Sequence, residues 1–185
     1  MENNDNRSLR NETILVCVMI TATIWASAIA AWLSVLLAVI SMALIIRSWI
    51  IRGDNGKTMG FCPEDLSILR PLAIFVTIAV NMIVIIGFLI NPIFYIKENF
   101  ADRIYQNALG PYLLWSVIQE GLLNGYFSNR IGKLAKNEFK GALIVGLFFA
   151  FLHLPNLVLT IGTFFWAGTS SYLFLKYSRN VYLLG

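Results

Sequence analysis

The chain alternates between long uncharged apolar runs and short polar segments. No Asp, Glu, Lys or Arg occurs from Ile14 to Ile46, from Pro71 to Ile96 or from Gly141 to Leu175. A membrane-crossing helix needs about 20 apolar residues at about 1.5 Å rise each, so every run can hold at least one. The first run, 33 residues, is long for one helix and short for two full ones; the last, 35 residues, is interrupted by Pro155-Asn156. The pattern predicts two short spans within 14–46 and one each over about 72–95, 104–128, 140–154 and 157–176, with room for the start of a seventh at Val181. The expected fold class is all-α, a polytopic transmembrane helix bundle of about six spans. A polar N-terminal tail, 1–13, would precede a single transmembrane helical domain, 14–185.

Composition agrees with lipid as the solvent. Of 185 residues, 58% are hydrophobic and 13% charged, against about 25% charged in soluble domains. The first apolar run is longer than the ~7–15 residues of a cleaved signal and follows a polar segment, so it reads as mature structure. Asn11-Glu12-Thr13 fits a glycosylation sequon but lies too near the bilayer for use. The net charge of +4 comes from Lys and Arg between apolar runs, as the positive-inside rule places them, and no nucleic-acid partner is expected. With two spans in 14–46, twelve Lys and Arg share one side, in the N-terminus, the 47–70 loop, the 129–140 loop and the tail, against two opposite. The side with twelve is expected to be cytoplasmic. Arg47, Arg52 and Lys57 read as an anchor there, and Trp32, Trp49, Trp115 and Trp166 as interface or packing residues. Two Cys and one His exclude a disulfide framework and a zinc site built from Cys and His clusters within the chain.

One charge breaks the pattern. Glu120 is the only Asp, Glu, Lys or Arg within Ile104–Asn129, and an acid at the centre of a spanning helix costs roughly 2.5–3.5 kcal/mol, which makes it a functional-site candidate by default. Asn124 stacks one helical turn away, Gln119 lies to one side, and Gly121 and Gly125 permit close approach of another helix. The lone His153 stands at the end of a second apolar run. Glu120 is ten residues before Arg130 and His153 thirteen after Lys140, so both lie about 15–20 Å from the basic loop by helix rise and can meet near mid-membrane. In contact they can activate a water, the carboxylate as base and the imidazole as donor to a developing oxyanion. The plainer alternatives are a protonated Glu bonded to a neighbouring helix and a packed neutral imidazole bonded to a backbone carbonyl.

Gln119-Glu120-Gly121-Leu122-Leu123-Asn124-Gly125-Tyr126 and Phe149-Ala150-Phe151-Leu152-His153-Leu154-Pro155-Asn156 resemble the first two motifs of the CPBP family of intramembrane proteases (CAAX proteases and bacteriocin-processing enzymes, also called Abi proteins). That family carries E-E-x-x-x-R, then F-x-x-x-H, then H-x-x-x-N or D. Gly162, Phe164, Gly168 and Ser178 to Tyr182 resemble what leads into the third motif, which is expected beyond Gly185; the resemblance covers about 112–185. Glu120 and His153 carry over intact. The family's first Glu aligns with Gln119 and its Arg with Asn124, and an amide cannot serve as a base at neutral pH.

The resemblance implies an intramembrane endopeptidase of a bacterial cell membrane, acting on membrane-anchored peptides such as prenylated C-termini or bacteriocin precursors. Glu120, with Gln119, would order the water, Asn124 would stand beside them, and His153 would supply the acid or oxyanion contact. No cofactor is expected, because a catalytic zinc takes about three protein ligands and the chain has one His. The alternative is a non-catalytic protein on the same scaffold, such as a bacteriocin self-immunity factor. A small transporter has only Asn81, Asn91 and Glu120 in its favour.

Overall fold

The computed structural model describes residues 2–61, 63, 66–90, 111–177 and 179–184. Among these the architecture is an all-α bundle with no strand, joined at one place by an antiparallel bridge between Phe61 and Asn180. The long helices are α1 (Glu2–Ala26), α2 (Ala31–Ile51), α4 (Leu69–Ile90), α7 (Glu138–Leu152) and α8 (Leu157–Lys176). Between α4 and α7 runs one helix in three pieces, α5 (Pro111–Leu122), a π-helical turn (Leu123–Ser128) and α6 (Asn129–Ala135). Two single turns are also present among the described residues, α3 (Gly56–Met59) and α9 (Val181–Leu184).

The outward faces are apolar, with Val35, Ile50 and Val158 64%, 74% and 81% exposed. Such surface is stable only in lipid. By length and composition α1, α2 and α8 can each cross a membrane. Residues 14–46 therefore hold two helices, but neither is short: α1 is 25 residues and α2 is 21, and both run past the uncharged run into polar sequence. Residues 2–13 are helical and continuous with the first span, so no structural break marks the expected tail. The 72–95 span corresponds to α4, with 91–95 outside the described residues, and 157–176 coincides with α8. The Pro155-Asn156 break works through capping: Asn156 accepts from the Leu159 amide at 3.1 Å, satisfying a first-turn donor of α8.

The 104–128 span departs most from expectation. Residues 104–110 lie outside the described residues, and the helix continues to Ala135 through part of the expected 129–140 loop. Arg130, expected in that loop, is wholly buried. It pairs with Asp54, donates to Ser48 Oγ at 3.1 Å and lies over the Tyr126 ring at 5.4 Å. Glu120 is thus not the chain's one buried charge. The sequence misses this because the partner, Asp54, comes from a loop 76 residues away.

That loop folds onto the site helix instead of hanging free. A side chain at Gly125 would meet the Met59 carbonyl oxygen at 2.9 Å, and one at Gly121 would meet Phe61 at 3.3 Å. Among the described residues, the two glycines admit the α3 turn and Phe61 rather than another spanning helix. Asn129 Nδ2 donates to the Thr58 carbonyl at 2.7 Å, Arg179 Nη1 to the same carbonyl at 3.1 Å, and Arg52 pairs with Asp5 and Glu12 of α1. The N-terminus, the 47–70 loop, the 129–140 segment and the tail, the four segments expected on one side, therefore meet at one end of the bundle.

Breaking a buried ion pair from one side leaves an uncompensated charge, at a cost of about 3–5 kcal/mol. Asp54→Ala should lower the thermal midpoint in detergent far more than Asp5→Ala, whose carboxylate is exposed. The double variant Asp54→Leu, Arg130→Met should recover most of the loss. Equal midpoints for Asp54→Ala and Asp5→Ala would show that the pair does not hold the loop.

Candidate functional site

The site is built where α5 and its π turn meet α8. Glu120 is buried, at 4% exposure, and its carboxylate is surrounded by donors. Trp166 Nε1 donates to Oε1 at 3.0 Å, Ser170 Oγ donates to Oε2 at 2.8 Å, and Asn124 Nδ2 donates to Oε2 as well. Asn124 Nδ2 also reaches Ser170 Oγ at 2.8 Å, and its Oδ1 accepts from Ser128 Oγ at 2.9 Å. Ser128 Oγ is bonded to Ser171 Oγ at 2.8 Å. The result is a polar seam inside an apolar interface, three residues from each side.

The π turn keeps that seam aligned. Four residues of α-helix overshoot one turn by about 40°. A π turn, with i to i+5 bonding, is wider and undershoots over the same count. From Glu120 to Asn124 the offset runs one way and from Asn124 to Ser128 the other, so all three stay on the face toward α8. π turns recur at functional sites for this kind of re-aiming.

In front of the seam lies a cavity of about 560 Å³ lined by Gln119, Glu120, His153, Thr163 and Trp166 among apolar walls, with Leu184 of α9 at its edge. Gln119 is exposed toward it. His153 is the C-cap of α7, and its Nδ1 lies 2.8 Å from the Phe149 carbonyl oxygen. A carbonyl only accepts, so Nδ1 carries the proton and Nε2 of the neutral ring has the free lone pair. No hydrogen bond joins Glu120 to His153 among the described residues. Three of the four candidate residues, Gln119, Glu120 and His153, therefore line one chamber. The fourth, Asn124, is wholly buried behind Glu120 and holds its carboxylate from the rear.

Sequence reasoning missed Ser170, Ser128 and Ser171, and read Trp166 only as an interface or packing residue. A usable signal existed: Trp166 and Ser170 stand one turn apart within the uncharged run of one helix, the spacing that puts two donors on one face.

The fold and the cavity define a helical membrane protein with a carboxylate and an imidazole on one chamber. Residues 103–184 match the family model of the Rce1-like type II CAAX prenyl endopeptidases, and over this segment the resemblance to the CPBP family is borne out. The match takes in α5 to α9, every element that lines the chamber, and leaves out α1 to α4. No curated protein and no solved structure matches the chain.

Ser170 is 3% exposed and serves both Glu120 and Asn124. Ser170→Ala removes a donor and an acceptor from a closed network, and buried polar groups left unpaired cost about 1–3 kcal/mol. A thermal midpoint lowered well beyond that of Ser27→Ala, on the exposed α1–α2 turn, is the expected result. A midpoint equal to that of Ser27→Ala would mean the seam carries no stability.

Proposed function

We propose that the chamber is the active site of a CPBP-type intramembrane endopeptidase in a bacterial plasma membrane, cleaving membrane-anchored peptides, prenylated C-termini among them, with water as nucleophile. The observation that carries this reading is that Glu120 and His153, 33 residues apart, line one cavity within the segment that matches the protease family.

The protonation pattern of His153 suggests the division of labour. With Nδ1–H committed to the Phe149 carbonyl, Nε2 accepts a proton from water, and the hydroxide adds to the scissile carbonyl carbon. The Gln119 amide donates to the resulting oxyanion. The imidazolium then returns its proton to the departing amine as the C–N bond breaks. Glu120, fixed by Asn124, Trp166 and Ser170, accepts from the attacking water and offsets the charge on the imidazolium. This reassigns both roles the sequence suggests: His153, not Glu120, is the base, and Gln119, not His153, the oxyanion donor.

A second reading is favoured by Gln119, which stands where the family carries its first Glu. It is a non-catalytic protein of bacteriocin self-immunity that uses the same chamber to bind a partner.

The test uses the full chain in proteoliposomes with a farnesylated C-terminal peptide. Glu120→Gln and His153→Phe should each lower its cleavage at least about 100-fold, the usual contribution of a positioned acid–base group. Cleavage unchanged in both variants rejects the protease assignment. Absence of cleavage by the unaltered protein, on prenylated and unprenylated peptides alike, supports the partner-binding reading.

A further inference from the structure

A second cavity, about 210 Å³, opens where α6 ends and α7 begins, beside the last turn of α8; Lys133, Lys136, Glu138, Leu175 and Arg179 line it. Its cations outnumber its single carboxylate three to one. Lys133 and Lys136 are exposed and form no ion pair among the described residues. Arg179 is different: Nη1 is tied to the Thr58 carbonyl at 3.1 Å and to Asn129 Oδ1 at 2.7 Å, and the guanidinium lies 5.7 Å from the Phe174 ring. Its charge is already in place before any ligand arrives, which lowers the ordering cost of binding. The backbone of Lys136, though not its ammonium, is fixed as the left-handed cap of α6, with its amide on the Gly132 carbonyl at 3.1 Å.

The position fixes the level in the membrane. Glu138 is the first residue of α7 and Leu175 the penultimate residue of α8, so the cleft sits at the headgroup boundary of the bilayer. A groove of about 430 Å³ lies between the same two helices. It starts at Phe139, the residue after Glu138, and at Tyr172, three before Leu175, and its other lining is almost wholly apolar, with Leu143, Phe164 and Phe165. The Phe139 and Tyr172 rings meet edge to face at 6.4 Å, and Lys176 Nζ lies 5.0 Å from the Tyr172 ring. Aromatic rings and basic side chains at that depth mark the interface.

A cationic cleft at headgroup level, followed along one helix pair by an apolar groove, has the two chemistries of a charged lipid in the order a lipid presents them. We propose that this end of the α7–α8 pair binds an anionic glycerophospholipid, with its phosphate against Lys133, Lys136 and Arg179 and an acyl chain in the groove between the helices. The site is separate from the Glu120 chamber, and none of its cations belongs to the proposed chemistry.

The test is thermal unfolding of the full chain, delipidated in a neutral detergent, with phosphatidylglycerol or phosphatidylcholine of the same chain length. Phosphatidylglycerol should raise the midpoint by about 4 °C or more, through preferential binding to the folded state. Phosphatidylcholine should give less than half that shift, and chainless glycerophosphoglycerol none. The double variant Lys133→Gln, Lys136→Gln should lose most of the phosphatidylglycerol shift, and Lys133→Arg, Lys136→Arg should keep it. Equal shifts from the two lipids, or a full shift in the Gln variant, would overturn the proposal. A chainless headgroup as effective as the lipid would overturn it in favour of a free phosphate ester.

Discussion

A carboxyl group buried between helices needs donors to replace the water it has lost, so the protein must supply them itself. That requirement on Glu120 organises the centre of this molecule. Trp166 and Ser170 reach it from α8 and Asn124 from its own helix, and once they do, only one face of α8 can meet α5 and the π turn. The remaining polar atoms follow in order, Asn124 to Ser128 and Ser128 to Ser171. Apolar packing completes the contact: Leu123, Phe127, Val145 and Ala167 form one buried cluster, and a side chain at Gly146 would strike the backbone of α8 at 3.0 Å. Small residues let those backbones approach in lipid, where hydrophobicity alone drives no helix pairing.

A charge count makes the helices legible because lipid punishes any charge left facing it. Residues 157–176 could be read to the residue, and the Pro155-Asn156 break located a cap. Glu120 and His153 stood out as polar residues where none is tolerated without a partner. What lay hidden were the partners. Trp166 and Ser170 are ordinary residues in a membrane helix until something three-dimensional brings a carboxylate to them. Arg130 misled for the opposite reason: positive charge next to an apolar run is usually interfacial, and only Asp54, folded back from a distant loop, makes its complete burial tolerable.

Glu120 and Arg130 divide the molecule's labour. Glu120 ties α5 to α8, within the segment that matches the protease family. Arg130 ties the same continuous helix to Ser48 and Asp54, which belong to the part outside that match. The N-terminal helices are therefore not passive anchors. Through Arg52 and Glu12, Ser48 and Arg130, they grip the helix that carries the site.

The π turn gives this helix an arithmetic of its own. A widened turn is equivalent to one residue more than an α-helix would use, and each residue added to or removed from an α-helix swings everything beyond it by about 100°. Glu120 lies before the turn and faces α8; Arg130 lies after it and faces α2 and the loop. A single deletion from Leu123 to Ser128 can close the turn to α-helix and leave Arg130 facing Asp54, whereas one residue inserted between Asn129 and Arg130 would carry Arg130 around the axis, away from Asp54. The lipid-facing sides of this protein can exchange one apolar residue for another, but between residues 120 and 130 only the widened turn has a residue to spare. Outside the turn, adding or removing a single residue there moves Arg130 off its partner.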